Sequence, residues 1–280
     1  MLRSLKSILG YSIEAEDGKL GKLHDVYFDD RSWMIRYFVI DTGGFLIGRK
    51  VLVSPVAAGR PDWDAKILPV SLTRDQIKDS PELAEGAAVS REYEGALAGY
   101  YGWPTWWGAG AGTWNYPAMG SIPGYPGAPV PSEMPGETAS SIDASRRERA
   151  PAEPAGAGGE ETEKHPEREA NLKSGRDLDG DPIHARDGDI GHVQDFIVDD
   201  ESWMVRYMVV DTSRWLAGKK VLVSTDWIEP TEWRGPEVKV NLTKEEIRHS
   251  PQYDPKQPVN REIEERLYDF YGRPRYWTRP

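Results

Sequence analysis

Ser32-Trp33-Met34-Ile35-Arg36-Tyr37-Phe38-Val39-Ile40-Asp41-Thr42 leads through a Gly-containing turn into Lys50-Val51-Leu52-Val53-Ser54. The same wording returns as Ser202-Trp203-Met204-Val205-Arg206-Tyr207-Met208-Val209-Val210-Asp211-Thr212, followed by Lys220-Val221-Leu222-Val223-Ser224. Every residue lies 170 positions beyond its counterpart, from Trp33 and Trp203 to Ser54 and Ser224. Each copy reads as a β-branched and aromatic strand, a turn, and a second strand. A period this long marks a duplicated unit, since solenoid repeats run roughly 20 to 50 residues.

Outward from these strands, the two copies keep the same punctuation. Asp17-Gly18 and Asp187-Gly188 are hairpin signals, because a tight turn needs φ > 0 and glycine supplies it without a Cβ clash. Leu20, Lys22, His24, Val26 and Phe28 then alternate with Gly21, Leu23, Asp25 and Tyr27, a strand that ends at the polar turn Asp29-Asp30-Arg31-Ser32. The central strand is read as Trp33 to Asp41, the next as Lys50 to Ser54, and a further one as Lys66 to Leu72. Thr73-Arg74-Asp75-Gln76 and Thr243-Lys244-Glu245-Glu246 read as capping boxes opening short helices. A second helix starts at Ser90, with Tyr93, Leu97, Tyr100 and Tyr101 on one face; Ile263, Leu267, Phe270 and Tyr271 match them.

Between the copies the character changes. Residues 103–131 are rich in Gly, Pro and aromatics, and residues 131–173 are polar with mixed charge. So few apolar side chains cannot offset the entropy of ordering, and the expectation is a disordered linker. The division is thus a first unit at 1–107, a linker at 108–173 and a second unit at 174–280, mainly β with short C-terminal helices.

The net charge of −11 and the lack of any Lys/Arg run argue against DNA binding and make RNA a secondary reading. The absence of cysteine excludes disulfides, thiolate metal sites and a Cys nucleophile. No apolar run approaches the roughly 18 residues of a membrane span. The start of the chain lacks the apolar core of a secretory signal, so a cytoplasmic protein is expected.

Gly21 to Asp30, Trp33 to Gly43 and Gly48 to Pro55, with their counterparts from Gly191 to Ser224, resemble the PRC-barrel family. That small β-barrel is named for the cytoplasmic part of the photosynthetic reaction centre H subunit, and also forms the C-terminal part of a ribosome-maturation factor. The first of these carries a membrane helix and the second a different N-terminal barrel, so neither specific role transfers. The resemblance implies that each unit is a small PRC-type β-barrel, and that the chain is a non-enzymatic docking or adaptor module that tends to self-associate.

Asp25/Asp195, Arg36/Arg206, Asp41/Asp211 and Lys50/Lys220 are polar in both copies. No nucleophile elbow, phosphate loop or dinucleotide glycine motif accompanies them, so they read as turn-capping carboxylates and cross-strand ion pairs. Asp177-Leu178-Asp179-Gly180-Asp181 starts like a calcium loop, but Pro182 and Gly188 occupy the positions that need Gly and Glu. His24, His165, His184, His192 and His249 show no metal-ligand spacing. No cofactor or metal is expected.

Trp33, Tyr37, Trp203 and Tyr207 are the candidate interaction residues, joined by Trp106 and Trp107, which are expected to fold back on their own barrel. The central strand is apolar on both faces, with Trp33, Ile35, Tyr37 and Val39 read on one side and Met34, Phe38 and Ile40 on the other. One face fills the barrel, so the other needs a cover, and the two barrels are expected to dock as an internal pseudo-twofold pair. The functional expectation is a protein–protein interaction or scaffold protein in stress response or complex assembly, with an unidentified protein partner. An RNA-processing or ribosome-assembly accessory factor is the alternative, and an enzyme with an unrecognised site ranks below both.

Overall fold

The computed structural model describes residues 1–46, 49–83, 88–105, 172–212, 219–228 and 238–278, all within one compact unit. The linker and its aromatics, Trp106 and Trp107 included, lie outside the described residues. The first repeat runs β1 (Leu2–Ser4), α1 (Leu5–Ile8), β2 (Ser12–Ala15), β3 (Gly18–Asp29), β4 (Ile35–Asp41), β5 (Lys50–Val53), β6 (Ile67–Pro69), α2 (Arg74–Lys78) and α3 (Arg91–Tyr101). The second runs β7 (Leu172–Ser174), β8 (Pro182–Ala185), β9 (Gly188–Asp199), β10 (Met204–Asp211), β11 (Lys220–Ser224), β12 (Val238–Lys239), α4 (Lys244–His249) and α5 (Arg261–Tyr271).

The chain is mainly β, built from two six-stranded sheets. One has the order β5-β4-β3-β2-β6 with β7 also on β3, and the other β11-β10-β9-β8-β12 with β1 on β9. Each sheet therefore takes one strand from the opposite repeat. Residue 174, the expected start of the second unit, is the last residue of β7.

Local chemistry explains the long strand. The β2–β3 hairpin turns at Asp17-Gly18, with Gly18 at φ 137°. The Asp17 carboxylate also accepts from the Arg74 N–H at 2.8 Å, and Asp187 does the same for Lys244, so the hairpin turn caps the following helix. Both capping boxes form, at Thr73/Gln76 and Thr243/Glu246. The longer helices stop at Gly102 and Gly272, both left-handed.

The central strand begins later than its sequence pattern indicates. Trp33 and Trp203 sit at φ 60° and 52°, outside the strands, with each N–H bonded at 2.8 Å to the carbonyl of Asp29 or Asp199. A left-handed tryptophan is strained by roughly 1–3 kcal/mol and persists only where its surroundings fix it. The turn breaks the alternation, so Trp33 does not share the face of Tyr37. Its ring stacks on Phe28 at 5.3 Å instead. Tyr37, Val39 and Leu52 pack under Val89 and Leu97, so α3 and its approach cover that face. Phe38, which points the other way, meets Trp203 edge-on at 4.7 Å.

β3 and β4 approach so closely at one place that a side chain is excluded. A Cβ on Gly21 would lie 2.1 Å from the Asp41 carbonyl oxygen, and one on Gly191 2.0 Å from that of Asp211. Gly191 is also at φ 137°, so both space and backbone demand glycine there. Gly191→Ala should cost about 3 kcal/mol in chemical denaturation, whereas Gly44→Ala, in open space, should cost less than about 1 kcal/mol.

Candidate interaction surface at the junction of the repeats

The junction is assembled from two copies of one arrangement. β1 pairs antiparallel with β9 (Leu2 with Asp199, Ser4 with Ile197), and β7 pairs with β3 (Leu172 with Asp29, Ser174 with Tyr27). Three-residue strands have little to hold them, and a carboxylate fixes the C-terminal end of each. Asp25 accepts from Ser174 Oγ at 2.5 Å and from the Arg176 N–H at 3.1 Å. Asp195 accepts from Ser4 Oγ and from the Lys6 N–H at 3.1 Å. Each aspartate thus ties its own long strand to the opposite repeat's short one.

Further along, the repeats touch through residues that are each other's counterparts. Met34 bridges to Met204. The Ile35 N–H donates to the Trp203 carbonyl at 2.9 Å, and the Val205 N–H donates to the Trp33 carbonyl at 2.8 Å. Contact between a residue and its own counterpart places it on a pseudo-twofold axis. Beside that axis Phe28 meets Phe196 at 5.5 Å. Lys6 also reaches Asp179 at 2.8 Å, which occupies the carboxylate most suggestive of a calcium loop with an ion pair across the junction.

Of the candidate interaction residues, Trp33 and Trp203 lie at this junction and are buried. Tyr37 and Tyr207 are buried elsewhere, beneath the C-terminal helices. There the sequence reading missed a pair of residues. Glu94 and Glu264 are almost fully buried on α3 and α5. Arg36 pairs with Asp29 and lies 3.6 Å from Glu94. In the second repeat Glu264 accepts from Tyr207 Oη and Tyr276 Oη, each at 2.8 Å, and pairs with Arg261 at 3.0 Å. Arg206 lies 3.7 Å from Asp199 and stacks over the Tyr276 ring at 4.1 Å. Burial raises the Glu94 carboxyl, against the pull of Arg36, and raises the Tyr207 hydroxyl as well. The repeated glutamate, one residue past Tyr93 and Ile263, was the available signal.

The other shared polar residues have local roles. The Asp41 carboxylate accepts from the Gly43 N–H at 2.9 Å and stands opposite Lys50 in the ladder, as Asp211 stands opposite Lys220. His24 lies 3.2 Å from Arg176; burial, then Lys50 and Arg176, lower its pKa. Among the described residues no group of three or more His, Asp or Glu side chains is placed to hold a metal ion.

Asp25 and Asp195 carry a pH signature. Burial raises both carboxyls above the ordinary 3.8, despite the hydrogen bonds they accept. The folded chain then holds these protons more tightly than the unfolded one. Their contribution favours folding most below 3.8, and it declines as pH rises through the raised values. The double variant Asp25→Asn/Asp195→Asn should lack this term. Its deficit in stability against the natural chain should widen between neutral pH and pH about 4, measured by urea unfolding at each pH.

The PRC-barrel domain pattern matches residues 2–77 and 171–240, just over half of the chain. An uncharacterized protein of Deinococcus radiodurans is 40% identical over 74 residues, which is 26% of this chain and 26% of that one. The chain therefore spans about a quarter of that relative's length.

Proposed function

We propose, for a chain that belongs to the PRC-barrel domain family, a non-enzymatic role as a protein-interaction scaffold in assembly of a larger complex or in stress response. PRC-barrel domains occur in interaction and assembly modules. The observation that carries the reading is the use made of the residues common to both repeats. Asp25 and Asp195 hold exchanged strands, Arg36 and Arg206 pair with Asp29 and Asp199, and Asp41 caps a turn. These are architectural tasks, and an active site would keep such groups convergent in a pocket.

The partner surface would be presented twice. Tyr100 on α3 and Phe270 on α5 are counterparts, and they are 42% and 41% exposed, each edge-on to the tyrosine that follows it. Exposed aromatics at equivalent positions of the two repeats suit a partner with two equivalent contact points.

Cross-linked purification of the intact chain from its host, beside the variant Tyr100→Ser/Phe270→Ser, tests this. The expected result is a reproducible stoichiometric protein partner, lost from the variant without a change in Tm greater than about 2 °C. Recovery of RNA instead, released as salt is raised, would favour the accessory-factor alternative. Asp41→Asn and Asp211→Asn should lower Tm by a few degrees, about 1–2 kcal/mol each. A turnover silenced by those changes at unaltered Tm would overturn the scaffold reading.

A further inference from the structure

The pseudo-twofold pairing is uneven at a buried position where two counterparts meet. Leu5 and Gly175 are counterparts, and both are buried. They meet each other: a Cβ on Gly175 would lie 2.6 Å from Leu5 Cδ2, 3.2 Å from Val26 Cγ2 and 3.6 Å from Asp25 Oδ1. The space that a side chain at position 175 would need is filled by Leu5 from the opposite repeat. The turn that opens each segment is alike, although Leu5–Ile8 forms a helix and residues 175–180 form turns. Ser4 Oγ accepts from the Ser7 N–H at 3.2 Å, and Ser174 Oγ accepts from the Asp177 N–H at 3.0 Å. Ile8 and Leu178, three residues on, are both buried. The difference is thus in side-chain volume, on the axis where the repeats join.

Volume on a twofold axis counts twice. Two first repeats would bring Leu5 against Leu5 where only one leucine fits, and interiors at crystal-like density do not absorb an extra side chain freely. Two second repeats would bring Gly175 against Gly175 and leave a void the size of the missing leucine. One leucine facing one glycine fills the space.

We propose that Leu5 and Gly175 form a one-way fit that makes the repeats complementary, so that a first repeat joins a second repeat in preference to its own kind. The partner of either half is the other half, from its own chain or from a second copy. Asp25 and Asp195 and the Met34–Met204 bridge serve either arrangement equally, so discrimination falls on side chains that differ between the repeats, as Leu5 and Gly175 do. A duplicated chain with an interchangeable junction could link without limit through like-with-like pairs. The volume mismatch opposes that outcome.

The test is a cycle in the full chain, read by thermal unfolding. Gly175→Leu and Leu5→Gly should each lower Tm, by about 5–10 °C. The decisive quantity is the sign of the second change in each background. Leu5→Gly, harmful in the natural chain, should raise Tm in a chain that already carries Gly175→Leu. The local backbone cost of a glycine at position 5 is present in both backgrounds, so it cancels from the difference between the two effects, and the steric relief must exceed it for Tm to rise. Should Gly175→Leu fail to fold, Gly175→Ala serves: it should lower Tm beside Leu5 and be tolerated beside Leu5→Gly. Additive losses in the cycle, or a Gly175→Leu chain as stable as the natural one, would overturn the proposal.

Discussion

A three-residue strand forms too few ladder hydrogen bonds to stay in a sheet unaided, and the whole assembly depends on two of them staying. β1 and β7 do so because Asp25 and Asp195 reach across and take a serine hydroxyl and a backbone N–H from each. The carboxylates are partly desolvated for that task, which is why their pKa values rise even though they accept hydrogen bonds. Each repeat's sheet is incomplete without the other repeat. What appears in the sequence as two modules is in structure one compact body.

A second constraint operates at the outer face of each sheet. β4 and β10 are apolar on both sides, and the junction covers one side only. The helices α3 and α5 cover the other, and each carries a buried glutamate toward the sheet. The central tyrosine bonds it in both repeats, Tyr37 to Glu94 and Tyr207 to Glu264; Arg36 also lies beside Glu94, and Tyr276 and Arg261 surround Glu264. Removing one member of such a buried set leaves the rest uncompensated, so the two helices are fixed to their sheets by polar as well as apolar contacts.

Much of this fold was legible in the sequence because its signals are local. The capping boxes at Thr73 and Thr243, the Asp-Gly turns and the glycine helix stops rest on contacts a few residues apart, and all formed. The two apolar faces of the central strand called for one to fill a barrel and the other to be covered; α3 lies over the Tyr37 face, and Phe38 on the other meets Trp203 of the opposite repeat. The position of Trp33 was not legible, since alternation holds only inside a strand and the left-handed turn lies just before it. Strand exchange was hidden for a different reason: Leu2–Ser4 carries no information about which of two similar β-strands it joins. Asp25 and Asp195 were read as structural carboxylates, but their partners lie 149 and 191 residues away, beyond any spacing argument. Glu94 and Glu264 were overlooked because a helical glutamate ordinarily faces water.

The central claim is that the repeats are joined by hydrogen bonds on a shared axis and open only when the chain unfolds. Native-state amide hydrogen exchange of Ile35 and Val205, whose N–H groups donate between counterpart segments, measures this most directly. Both should exchange with the same free energy as the core amides of β4 and β10, and only by global unfolding. Fast exchange at Ile35 and Val205, with Val39 and Val209 still protected, would show that the repeats separate while folded and would contradict the account.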